Sequence, residues 1–235
     1  MEPVARATLT LIGNEGFRVR TGVADIFIDA FNRAIPEDAW RRAALPDEAR
    51  AALILVTHAH WDHFDSRQVV EAARMLKARV IGPRSVVGQL EKRLARDTLV
   101  EMEPPLAEGA RPFHSVSVRL ATVAVTAYRT CHSRDHNSYL VETSEFRFFH
   151  DGDNEDTRRI DVQGLGRLDA LLIGPWQGAG WVEFIEKLAP TRYFLMHLTD
   201  EELADHARGR FLPEICDRVP PGLVVLRPGE VFVYR

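Results

Sequence analysis

The sequence predicts an α/β protein built as a four-layer αββα sandwich, with two sheets face to face and helices on both outer surfaces. Three observations carry this. Short β-branched and aromatic runs recur from one end of the 235 residues to the other. Stretches with helical apolar spacing follow strand-like runs in both halves. No linker-like or low-complexity stretch separates the halves, so residues 1–235 are read as one domain.

Strands open the chain. Thr8 to Ile12, Phe17 to Arg20 and Ile26 to Ala30 are punctuated by Gly13, Gly16 and Gly22. After a polar, proline-containing stretch, Ala52 to Val56 is apolar throughout, as suits a central strand buried on both faces. Asp65 or Ser66 can then cap a helix whose apolar face is Val69, Val70, Ala73 and Leu76. A short strand at Val80 and Ile81 leads to Pro83, which can open a second helix with Val86, Val87, Leu90 and Leu94 on one side.

The strand pattern returns between Ser115 and Phe149. Leu168 to Ile173 reads as a strand, Trp181 to Leu188 as a helix, and Tyr193 to Met196 as a strand. Thr199 and Glu202 have capping-box spacing ahead of Leu203. Leu223 to Leu226 and Val231 to Tyr234 close the chain as strands.

Composition narrows the functional classes. With 46% hydrophobic and 27% charged residues, the chain is neither disordered nor fibrous. A net charge of −4, with no long run of Lys or Arg, argues against nucleic acid as the main partner. Cys131 and Cys216 are far apart and form no CxxC pair, which excludes zinc-ribbon and thioredoxin-like sites. They are expected to be free thiols in a reducing compartment. No stretch reaches the ~18 apolar residues of a membrane-spanning helix, and the first residues lack the apolar run of a signal peptide. A cytoplasmic protein without a membrane partner is expected. A homo-oligomer is compatible with all of this.

The decisive segment is His58-Ala59-His60-Trp61-Asp62-His63, three imidazoles and a carboxylate within six residues, directly after a buried strand. Alternation lets His58 and His60 point the same way, and the turn beyond them can present Asp62 and His63 to a neighbouring position. Imidazole and carboxylate suit zinc, manganese or iron, and the lack of thiolate argues against a closed structural zinc site. A chance polar loop is the competing reading. Nine histidines in the chain would rarely place three at this spacing beside an aspartate.

THAHWDH resembles the HxHxDH signature of the metallo-β-lactamase superfamily. CHSRDHNSYLV (Cys131 to Val141) is similar to that family's third motif, FFHDGDN to its strand-ending GD motif, and YFLMHLTDEE to its final strand-ending histidine motif. The resemblance implies two half-sites: His58, His60 and His132 on one metal, Asp62, His63 and His197 on the other, with Asp153 bridging. Asp29 in FIDAF resembles the aspartate that supports the ligand loop from behind. In the third motif, Cys131 stands where Gly is common and Arg134-Asp135 replaces Pro-Gly, so His136 remains a rival to His132, which is favoured. The opening TLIGNEGFRVRTGVADIFIDAF resembles the ascorbate-6-phosphate-lactonase-like branch, with Asn14 where that branch often has His.

A protein resembling this superfamily is expected to be a hydrolase with two divalent ions, zinc first and manganese or iron as alternatives. A hydroxide held between them would attack a small ester, lactone or phosphodiester, with Asp62 orienting it. An RNase Z-like phosphodiesterase is the runner-up and a di-iron oxidoreductase on the same fold comes third; His60 argues against the latter. Trp61, Arg134, His136 and Trp176 are the candidates to line a substrate pocket, although packing explains the tryptophans equally well and solvation explains Arg134.

Overall fold

The computed structural model describes residues 5–47, 49–175 and 179–235. Chain order gives β1 (Ala7–Gly13), β2 (Gly16–Thr21), β3 (Ala24–Ile28), β4 (Ala51–Leu55), β5 (Arg79–Gly82) and β6 (Leu99–Glu101) in a first sheet. A second sheet holds β7 (Ser115–Leu120), β8 (Val123–Arg129), β9 (Asn137–Glu142), β10 (Arg147–His150), β11 (Ala170–Ile173), β12 (Arg192–Leu195) and β13 (Leu223–Val225). The last strand, β14 (Val231–Tyr234), returns to the first sheet beside β1.

Each sheet is half antiparallel and half parallel. The first runs β14-β1-β2-β3-β4-β5-β6 and becomes parallel from β3 onward. The second runs β13-β12-β11-β10-β9-β8-β7, parallel from β13 to β10 and antiparallel beyond. These pairings bring the C-terminal ends of β1, β3 and β4 to one edge of the first sheet, and those of β8, β10 and β12 to one edge of the second.

The apolar runs alternate between two cores. In β3 and β4, Ile26, Ile28, Leu53 and Leu55 face the second sheet, where they meet the cluster containing Val125, Val141, Phe148, Leu172 and Phe194. Phe27 and Ile54 point the other way, into a layer formed with α1 (Glu37–Ala43), α2 (Ser66–Leu76) and α3 (Arg84–Leu90). On the far side Phe149, Leu171, Ile173 and Tyr193 pack with Phe184, Ile185 and Leu188 of α5 (Trp181–Leu188). The same layer holds α4 (Val162–Leu165) and α7 (Phe211–Ile215), with α6 (Asp200–Ala207) beside α7. The expected αββα sandwich is therefore the observed one. Among the described residues no helix is long and apolar enough to cross a membrane.

Local expectations hold at the caps and slip at some ends. Asp65 accepts from the backbone N–H of Arg67 and Gln68, a cap worth ~1 kcal/mol, and Thr199 with Glu202 closes the capping box. The polar stretch after β3 contains α1, which buries Trp40. α3 ends at Leu90, and Leu94 reaches the same apolar layer from the turns beyond it. The strand read as Ile26 to Ala30 stops at Ile28: Asp29 donates a last N–H to the Leu55 carbonyl and takes a left-handed backbone (φ 47°) that ends the ladder. That departure builds the site.

Candidate metal centre

Every side chain of the centre leaves the chain at the end of a strand. From the first sheet come Glu15 after β1, Asp29 after β3 and the His58–His63 segment after β4. From the second come His132 after β8, Asp153 after β10 and His197 after β12. The carboxyl ends of parallel strands leave open chain termini between diverging connections, the usual place for a ligand site. Here two such edges meet.

Two donor groups result. Ligand-capable atoms of His58, His60, His132 and Asp153 lie within 4.8 Å of one another, and so do those of Glu15, His63, Asp153 and His197. Asp153 belongs to both. Its Oδ2 is 3.3 Å from His132 Nε2 and 3.1 Å from His63 Nε2, while Oδ1 is 3.8 Å from His197 Nε2. His60 Nδ1 is 3.4 Å from His132 Nε2.

The rings are aimed from behind. Asp29 accepts from Thr57 N–H through Oδ1 at 2.8 Å and lies 2.9 Å from His63 Nδ1 through Oδ2. With Nδ1 so engaged, His63 turns Nε2 to the centre. Glu155 does the same for His132, at 2.8 Å from Nδ1. Outer partners of this kind fix the tautomer and orientation of a ligating imidazole. His197 holds φ at 59°, a left-handed conformation rare for a residue with a side chain, with its N–H donated to the Asn14 carbonyl.

His136 is placed differently. It is fully buried, its Nδ1 lies 2.7 Å from Thr130 Oγ1, and its Nε2 accepts the Asp153 N–H at 2.9 Å. With both nitrogens committed it belongs to neither donor group, and it supports the Asp153 backbone instead. Gly152 is required beside it: its φ is 58°, and a Cβ there would come within 2.5 Å of His136 Nε2.

The electrostatics show a cluster that calls for positive charge. Burial opposes charge on His63, yet Glu15, Asp153 and Asp29 outweigh it and hold its pKa well above the usual value. Burial would raise Asp153, but the His63 hydrogen bond and nearby imidazoles take it below the usual carboxylate range. Burial and the neighbouring imidazoles hold His58 neutral, far below its ordinary pKa. Burial pushes Glu15 well above its ordinary pKa, only partly offset by His63. A divalent cation would replace the His63 proton, as ligands must deprotonate to bind.

Two further atoms test the fit. His58 Nε2 and Glu15 Oε2 are buried and have no hydrogen-bond partner in the structure. Buried polar atoms left unpaired are costly, and these two belong one to each donor group. The residues fit a pair of divalent ions held by imidazole and carboxylate.

Residues 25–198 match the family described as the Beta-lactamase superfamily domain. The chain belongs to that superfamily. A metal-dependent hydrolase of Thermococcus kodakarensis is 25% identical, the match covering 93% of this chain and 96% of the relative. One of Archaeoglobus fulgidus is 25% identical, covering 97% and 99%. Igni18, a metallo hydrolase of Ignicoccus hospitalis, superposes with a TM-score of 0.67 at 16% identity, covering 97% of this chain and 98% of that one. CmlA, a diiron β-hydroxylase of Streptomyces venezuelae, superposes at 0.66 with 15% identity, over 99% of this chain and 55% of its own. Such distant likenesses show the superfamily's fold, which carries more than one chemistry.

Three residues singled out in the sequence stand apart from the donor groups. Asp62 Oδ2 is 3.6 Å from His197 Nε2 and outside both groups. Trp61 is 62% exposed beside a cleft of about 540 Å³ that Asp62, His197, Leu11, Pro36 and Leu203 also line. Arg134 is exposed, and its carbonyl accepts from the Arg129 guanidinium. Trp176 lies outside the described residues. Glu15, by contrast, went unread in the sequence. A charged residue between two glycine-flanked strands reads as an exposed turn, and no motif marks it.

Proposed function

We propose that this protein is a metal-dependent hydrolase acting on a small ester, lactone or phosphodiester, lactones foremost, with zinc in the centre and manganese or iron as alternatives. One observation carries the reading: two converging donor groups share Asp153, each with a buried, unpaired donor atom. His58, His60, His132 and Asp153 would hold one ion; His63, His197 and Asp153 would hold the other. Ions so held supply Lewis acidity and lower the pKa of a water toward ~7.

The chain's own groups do the rest. Burial would raise the Asp62 pKa, but the neighbouring His197 and His63 outweigh it and hold the carboxyl below its ordinary value. Its position makes Asp62 the group to take up a proton at Oδ2, on the side that faces both His197 and the cleft. The cleft receives the remainder of the substrate, with Trp61 as its wall. Arg134, two residues from His132, offers a guanidinium to an anionic group.

Purified protein of known metal content, screened against lactones, phosphodiesters and thioesters, tests this. Metal-dependent turnover of one class is the expected result, and Asp62→Asn should lower it by ~10²–10⁴-fold. Metal-loaded protein that turns over none of the three would defeat the reading. Metal-dependent consumption of oxygen would move it to the oxidoreductases.

A further inference from the structure

Glu15 sits in the tight connection between β1 and β2, where a charged side chain normally meets water. Here it is fully buried. Its Oε1 accepts from Asn14 Nδ2 at 2.9 Å and lies 3.2 Å from His63 Nε2. Its Oε2 lies 3.2 Å from His197 Nε2 but makes no hydrogen bond. The connection is held in place from two sides. The Glu15 carbonyl accepts from His150 Nε2 at 3.2 Å, and the Asn14 carbonyl accepts the His197 N–H at 3.3 Å. A buried, positioned carboxylate with one unpaired oxygen, facing two imidazoles, is a donor prepared for a cation.

Asp62 makes a poor rival. Its side chain is 20% exposed, and its oxygens fall outside the converging set.

We propose that Glu15, rather than Asp62, is the terminal carboxylate ligand of the second ion, through Oε2. The donor set there is Glu15, His63, His197 and Asp153, which leaves Asp62 free as a proton acceptor. This assignment rests on the metal-dependent reading above and deepens it. Two carboxylates and two imidazoles make a harder site than three imidazoles and one carboxylate, so the second position favours manganese relative to the first.

Metal counting tests it without any substrate. Wild type, Glu15→Gln and Asp62→Asn are loaded with Mn²⁺, freed of unbound ion by gel filtration, and analysed for metal per chain, with thermal unfolding alongside. Gln keeps the size of Glu15 and the Asn14 contact but loses the anionic donor. The expected counts are about two, about one and about two. Glu15→Gln retaining both ions overturns the assignment and leaves the metal reading intact. Wild type that binds no ion overturns both. Should Glu15→Gln fail to fold, Glu15→Asp replaces it, keeping the charge on a shorter arm. It should weaken binding of the second ion by at least ~10-fold, and unchanged affinity would overturn the assignment.

Discussion

The His58–His60–His132 side of the centre and the Glu15–His63–His197 side share Asp153 but differ in exposure and donor type. On the first side only His58 is buried, His132 is partly open and His60 is exposed. On the second, Glu15 and His63 are fully buried and only His197 is partly open. Burial removes water that would compete for the ligands and makes unbalanced charge costly, so the second side would hold an ion by electrostatic need. The first side, rich in imidazoles, opens to solvent at His60 and His132, whereas the cleft beside Trp61 meets the second side at His197.

Removing the shared group should produce the largest effect. Asp153→Ala should lose both ions, and hydrolysis with them, while the sandwich still folds, because its cores do not depend on the centre. Elemental analysis with circular dichroism checks this. If one ion survives at full occupancy, the two sides are independent and the comparison breaks.

A pair of histidines sharpens the first side. His132→Ala should cost one ion per chain. His136→Ala should keep both ions but leave the Asp153 N–H and Thr130 hydroxyl unpaired in the interior, lowering stability by ~1–3 kcal/mol in chemical denaturation. The reverse pattern would exchange their roles. The smallest effect belongs to the second side. Asp29→Asn tolerates the left-handed backbone but weakens the acceptor for His63 Nδ1, so affinity for one ion should fall by ~10–100-fold in a competition titration. Equal weakening of both ions would show that Asp29 supports the whole loop.

The sandwich was legible because its signals are local. Ile26 to Ile28 and Leu53 to Leu55 are apolar at every position, as strands between two cores must be, and Asp65 and Thr199 stand where caps belong. Histidine spacing made the first side legible too. Between His132 and His136, spacing alone left two candidates. What separates them is long-range: the His136 ring is locked between Thr130 and the Asp153 backbone, a contact across 17 positions of sequence. Glu15 was illegible for the same reason. Its burial depends on His63, His197 and His150, which arrive from distant strands, while its own neighbours signal only a turn.

Those separations bear on the life of the chain before it is finished. The donors run from residue 15 to residue 197, and β14, which pairs with β1, follows all of them in the sequence. A ribosome delivers the N-terminal part first, and domains generally fold as units. The His58–His63 segment is therefore synthesised long before Asp153 and His197 exist to balance it. The full donor set exists only when His197 emerges. The first donor group is thus complete once Asp153 is made, whereas a site for both ions requires the chain through β12.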